Sequence, residues 1–206
     1  MYEGGFYQDT EIITDSGIKQ IKDVHAGDKV WTGNSYVNVD DVYISKDDVA
    51  WDKIHTRFGK YKGVWNCSLA CNISTQFLAL NFRTWEIKYH TLAYIMSRDH
   101  ILVRKKQDGG LTFREIYENE EVCKAKELHN WKFLSDEEIE VLEEKFKDYR
   151  FDLIKCYGNF YTKLEGYRGT NLYNLKVSSD GFLVNGFYTR DCQKGLSLYE
   201  LSNQED

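Results

Sequence analysis

The amino-acid sequence predicts an all-β domain carrying one short, mainly helical insertion. Three observations predict it. Short runs of alternating apolar residues, each stopped by Gly, Asp or Asn, fill residues 10–45 and 172–189. Aromatic residues make up 15% of the chain and suit a pleated, half-buried surface. Residues 115–165, by contrast, are charged and carry a helix-start signal.

In chain order, Thr10–Thr14 alternates weakly and meets the turn Asp15-Ser16-Gly17. Ile18–Ile21 follows, then the turn Ala26-Gly27-Asp28. Lys29–Thr32 reads as a strand stopped by Gly33-Asn34. Ser35–Ser45 has a period of two that slips phase, which predicts a bulge. Phe77–Tyr89 and Tyr94–Arg104 read as further strands. Asp108-Gly109-Gly110 turns into a strand at Leu111–Arg114. The one clear helix starts at Ser135, where Ser135 and Glu138 have capping-box spacing and Ile139, Leu142 and Phe146 share a face. Leu172–Val177, the turn Ser178–Gly181 and Phe182–Val184 lead to Asn185-Gly186, the strongest short hairpin signal, and to Phe187–Thr189. No repeat is present, and Gln193–Asp206 reads as a polar tail.

The bulk numbers narrow the function classes. The 206 residues suit one domain with an insertion, and 42% hydrophobic content can build a core. A net charge of -6 without a basic run argues against nucleic acid as the main partner. No apolar run has membrane-spanning length, and Met1–Gly4 does not open a signal peptide, so a cytoplasmic, monomeric protein is expected. The five cysteines are odd in number and irregularly spaced, which argues against a disulfide framework. Cys67 and Cys71 form a C-x3-C pair without two further ligands, so free buried thiols are expected rather than a metal site.

Three stretches carry more specific information. The first is Gly5–Ile12, continued by Gly17-Ile18-Lys19 and Val24–Val30. The second is Ser97-Arg98-Asp99-His100 with Ile101–Val103, followed by Ala125-Lys126-Glu127-Leu128. The third runs from Tyr173-Asn174-Leu175 through Asn185-Gly186 to Arg190-Asp191-Cys192. In this order they resemble the Hint family of inteins, bacterial intein-like domains and hedgehog autoprocessing domains. The resemblance covers Gly5–Asp191 apart from the insertion at about 115–165, which is too short for a homing endonuclease. It implies a horseshoe-shaped all-β Hint fold, a module at 5–191, and flanking extein segments at 1–4 and 192–206 as its partners.

The resemblance also implies chemistry: autocatalytic protein splicing, single-turnover and without a cofactor. In that scheme the first residue attacks the preceding carbonyl, the first downstream residue takes the acyl group, and a terminal Asn cyclises. The fold must supply proton transfer and a positioned nucleophile. His100 matches the histidine that protonates the upstream amide, and an imidazole can do so near neutral pH. Ser97 would hydrogen-bond near the same amide. Cys192 matches the downstream nucleophile. Asn174 stands where many members have an activating Asp, but an amide cannot act as a base. Asp180 lies near a position often held by His, or shapes the turn.

Departures from the family pattern bear on activity. Gly5 occupies the first nucleophile's place and has no side chain. Arg190 replaces the penultimate His and Asp191 the terminal Asn, a poor group for ring closure. These changes predict a stalled precursor still joined to both flanks. Gly5 and Asp191 are either introduced substitutions or natural ones; in the natural case Cys192 attacks the Gly4 carbonyl directly. Two other readings stay open: a degenerate Hint domain serving as a structural or interaction module, and a β-barrel-like binding domain.

Overall fold

The computed structural model describes residues 4–46, 51–57, 65–72, 74–97, 100–106, 110–128, 133–152, 154–155, 171–184 and 186–190. The chain opens on β1 (Phe6–Tyr7). The hairpin β2 (Glu11–Thr14) and β3 (Gly17–Gln20) follows, and a single 3-10 turn spans Ile21–Asp23. Gly17 permits the hairpin turn with φ at +118°, and the Thr14 hydroxyl donates to its carbonyl at 2.6 Å. Next come β4 (Lys29–Trp31), β5 (Tyr36–Lys46), β6 (Trp51–Arg57), β7 (Trp65–Asn72), β8 (Gln76–Asn81) and β9 (Ile87–Thr91). The helix α1 (Leu92–Ser97) leads to β10 (His100–Lys105). The helices α2 (Phe113–Tyr117), α3 (Glu120–Leu128) and α4 (Asp136–Lys145) precede β11 (Tyr149–Asp152) and β12 (Ile154–Lys155). The chain's last described elements are β13 (Asn171–Val177), β14 (Gly181–Val184) and β15 (Phe187–Arg190).

The expected bulge is present. In the β5–β13 pairing, Lys176 faces Asp41 while Val177 faces Val39, so Asp40 is the extra residue. Ser135 caps α4 with the reciprocal Ser135/Glu138 box.

Three expectations need correction. Residues 77–89 are a hairpin rather than one strand, because Asn81 folds the chain back. Its carbonyl accepts from Trp85 N, its Oδ1 accepts from Arg83 N at 2.7 Å, and Trp85 takes φ +57°. Residues 94–104 begin as the end of a helix and become a strand only at His100. At residues 111–114 only Leu111 makes a bridge, to Phe151. Thr112 then caps α2 through a second capping box with Glu115, which takes Phe113 and Arg114 into the helix.

Among the described residues the strands form two antiparallel sheets. One runs β12-β6-β7-β1-β13-β5-β4-β2-β3 and the other β11-β10-β15-β8-β9, with β14 on β15. Both β1 and β15 are interior strands. β1 lies between β7 and β13, with Phe6 opposite Cys71 and Tyr173. β15 touches β14, β10 and β8. The fully buried Phe6 fixes β1 in the main core, meeting Phe77 and Phe182 edge-on at 6.1 and 6.4 Å. A second core of Trp85, Phe113, Phe146, Phe151 and their neighbours packs the helices onto β10 and β11.

A buried ion pair joins the two regions. Arg104 of β10 and Asp152 of β11 meet at 3.0 Å with 3% and 0% of their side chains exposed. The Arg104 guanidinium also lies 4.6 Å above the Phe187 ring of β15. No helix among the described residues is long and apolar enough to cross a membrane.

Candidate functional site

The Gly4–Gly5 junction, where the resemblance puts the upstream end of the module, is held by side chains and backbone from two distant segments. Gly5 N–H donates to Thr75 Oγ1 at 3.0 Å, and the Thr75 hydroxyl donates to the Gly5 carbonyl at 3.1 Å. Asn72 N–H donates to that same carbonyl at 2.9 Å. The Asn174 side-chain amide donates from Nδ2 to the Gly4 carbonyl at 3.1 Å. Thr75, Asn72 and Asn174 are all buried.

Local structure sets each of these groups. β7 ends at Asn72, whose Oδ1 accepts from Ser74 N at 2.7 Å and whose carbonyl accepts from Thr75 N at 3.0 Å. This turn aims the Thr75 hydroxyl back at Gly5. The Thr75 carbonyl accepts from Leu92 N at 2.8 Å, which anchors the turn to α1. Asn174 lies within β13, and its Oδ1 accepts from Leu175 N at 2.8 Å. That contact fixes the amide's orientation, since the flipped amide would set a donor against a donor.

Both glycines sit in spaces shaped for them. A Cβ on Gly4 would come to 2.7 Å from Thr75 Cα and 2.8 Å from the Ser74 carbonyl oxygen. A Cβ on Gly5 would meet the Tyr173 carbonyl oxygen at 3.1 Å and Leu172 Cβ at 3.2 Å. The obstacles are backbone and Cβ atoms, so trimming a neighbouring side chain would not make room.

The downstream end of the module approaches the same turn. Thr189 of β15 faces Phe77, and its hydroxyl donates to the Gln76 carbonyl at 2.9 Å, one residue from Thr75. Arg190 ends β15 opposite Gly181, with its guanidinium 5.8 Å from the Tyr89 ring centre. A Cβ on Gly181 would overlap the Thr189 carbonyl, so glycine is required in that pairing. Asp180, next to it, is exposed in the turn before β14. Asp191 and Cys192 lie outside the described residues.

Of the residues expected in the site, Gly5 and Asn174 come together, and Arg190 and Asp180 lie at the end of the β14–β15 hairpin. The backbone of His100 lies opposite Asn81, six residues along β8 from Thr75, or about 20 Å of strand. The Ser97 and His100 side chains are outside the described residues. Asn72 and Thr75 were not expected. They have the same three-residue separation as Ser97 and His100, but neither titrates near neutrality, so a search for an imidazole passes them by. Cys71 is buried and Cys123 half-buried. Among the described residues no cluster of three His, Cys, Asp or Glu could hold a metal.

Neither a family model nor a curated protein matches the sequence. Solved structures do. The DnaB intein from Synechocystis sp. PCC 6803 superposes with a TM-score of 0.55 at 13% identity, covering 92% of this chain and 99% of that one. The Ssp DnaB mini-intein variant M86 gives 0.54 at 12% identity, covering 95% and 99%. The gp41-1 intein gives 0.51 at 16% identity, covering 92% and 100%. With near-complete coverage in both directions and two antiparallel sheets that place β1 and β15 inside, the chain has the Hint fold of the inteins.

Proposed function

We propose that the chain is an intein-type autoprocessing module, held as a stalled precursor, that acts on its own Gly4–Gly5 and Asp191–Cys192 bonds. The module then runs from 5 to 191, with extein segments at 1–4 and 192–206 as its partners and the insertion at about 115–165 as an appendage. The observation that carries this reading is the side-chain clamp on the Gly4–Gly5 bond. Its carbonyl and its nitrogen each meet a buried side chain from far along the sequence. Such grip restricts the bond to one orientation, which is what a positioned attack needs.

Cys192 would supply the thiol that takes the acyl group, and Asp191 the group that must close a ring to free the downstream side. Gly5 offers no nucleophile, so the upstream bond stays closed unless a thiol arrives from elsewhere. A carboxylate at Asp191 closes a ring poorly because its charge must first be suppressed. Among the described residues the clamp consists of hydrogen-bonding groups, and His100 would be the group that moves the proton.

The test is to express the chain between two tagged proteins, as it is and with Gly5→Cys and Asp191→Asn together, and to weigh the products over time. Ligated tags from the restored chain support splicing, and separated tags support processing without ligation. Intact fusions from both chains would overturn the reading and favour a degenerate Hint domain with a structural role. Gly5 itself motivates that second reading, since its surroundings must shift by a few tenths of an ångström to admit the Cys side chain.

A further inference from the structure

We infer that Asn174 is a catalytic residue of the upstream junction: its side-chain amide polarises the Gly4 carbonyl for direct attack by a thiol from outside position 5. This rests on the autoprocessing reading above and adds the route by which a module with glycine in first place can open its bond. Three observations point the same way. Nδ2 of Asn174 stands 3.1 Å from the Gly4 oxygen, with Oδ1 already committed to Leu175 N. The side chain is 4% exposed, so the amide dipole acts with little competition from water. The space around Gly5 is tight for a Cβ, with the nearest atoms at 3.1 and 3.2 Å, and glycine itself offers no thiol, so the nucleophile comes from another residue.

A carboxylate at this position would set its lone pairs against those of the Gly4 oxygen. The amide instead donates to it, and that bond strengthens as charge gathers on the oxygen. In the step, the thiolate sulfur forms a bond to the Gly4 carbonyl carbon. The carbonyl π pair moves onto the Gly4 oxygen, toward Asn174 Nδ2. The intermediate then collapses: the C=O bond re-forms and the Gly4–Gly5 C–N bond breaks. The freed pair on Gly5 nitrogen takes the proton the thiol gave up, relayed through water. The products are a Gly4 thioester and a Gly5 amine, with no oxidant or reductant. Cys192, the first residue of the downstream flank, is the thiol of the right class. Thr75 accepts the Gly5 N–H throughout and keeps the departing nitrogen in register.

The experiment uses the full chain in its tagged fusion, labelled with carbonyl-13C, 15N-glycine. The sequence holds two Gly-Gly bonds, Gly4–Gly5 and Gly109–Gly110, so a carbon–nitrogen correlation shows the junction and one internal reference. Asn174→Ala and Asn174→Asp should move the Gly4 carbonyl resonance upfield and leave the Gly109 signal in place. Both should slow upstream bond breakage by about 100- to 1,000-fold, the usual effect of removing one oxyanion donor. Asn174→Gln, which keeps the amide, should retain part of both. A Gly4 resonance that does not move in Asn174→Ala overturns the contact. A resonance that moves while breakage keeps the parent's rate overturns the catalytic role, and so does faster breakage in Asn174→Asp, which would mean a base is wanted there. If the contact is intact but neither the parent nor the restored chain breaks its bond, autoprocessing itself fails and the catalytic role goes with it.

Discussion

Asp152 offers a direct test of how the helical insertion is fastened to the sheet that carries β15. Its carboxyl is fully buried and accepts one hydrogen bond from Arg104 Nη1, while Oδ1 finds no donor among the described residues. Burial pushes its pKa from 3.8 up to about 6, against the opposing pull of the Arg104 charge. That difference of roughly two units corresponds to about 3 kcal/mol. A carboxyl whose folded pKa lies above its unfolded value holds its proton more tightly when folded. Its contribution to stability is therefore complete below about pH 4 and is lost as pH rises through about 6, with no further change above. Asp152→Asn keeps an acceptor for Arg104 and removes the titration. Urea unfolding of both proteins across pH 4 to 7 should show the parent losing up to about 3 kcal/mol relative to the variant over that window. A constant difference, or one favouring the parent more as pH rises, would refute the reasoning, because the ion pair would then outweigh desolvation. Asp152→Ala is the harsher change: it strands a buried guanidinium and should cost about 3–5 kcal/mol.

Gly4→Ala forces a Cβ to within 2.8 Å of the Ser74–Thr75 backbone and should cost about 1–3 kcal/mol, a drop of several degrees in Tm by calorimetry; an unchanged melt would show that the turn yields freely. Ser135→Ala removes one half of the α4 capping box and should lower stability by about 1 kcal/mol, with faster hydrogen exchange at the Glu138 amide as its local signature. Phe6→Ala empties a fully buried site between Phe77 and Phe182 and should cost about 3–5 kcal/mol in denaturant unfolding; a loss below 1 kcal/mol would mean that β1 is not anchored by that ring.

Most of the fold was legible because the chain announces its turns. Gly17, the Ser178–Gly181 turn and the alternation in Ser35–Ser45 are local signals with local causes, and the structure keeps them. The misread segments lack such signals. The turn at Phe82–Trp85 has no Gly or Pro, and it depends on Asn81 hydrogen bonds and a positive φ at a tryptophan. In Tyr94–Ser97 the residues that suggested the start of a strand instead complete a short helix, with Ile95 turned into the main core. The site was legible by half. Gly5 and Asn174 fall in recognisable stretches, but the meaning of Asn174 depends on which atom its amide faces, and only the β1–β13 pairing decides that. Thr75 carries no titratable group, so its role emerges only from its distance to Gly5.

Thr75 thereby becomes the sharpest test of the clamp. Its hydroxyl serves both sides of Gly5, accepting from the N–H and donating to the carbonyl. Thr75→Val keeps the shape and removes both contacts. The carbonyl still has Asn72 N–H, but no other partner for the Gly5 N–H is found among the described residues, and its group lies in a buried setting. An orphaned buried donor costs about 1–3 kcal/mol, and a loss of 1.4 kcal/mol is tenfold in an equilibrium. Hydrogen exchange at the Gly5 amide should therefore speed up by about ten- to a hundredfold in Thr75→Val and stay near the parent value in Thr75→Ser. If the hydroxyl only fills space, Val would protect the amide as well as Thr does, and the grip on the departing nitrogen would have to come from elsewhere. If Val loosens the amide while the β8 strand beside it keeps its protection, the loss is local to the bond. The clamp is then a device for holding one peptide unit rather than a by-product of sheet packing.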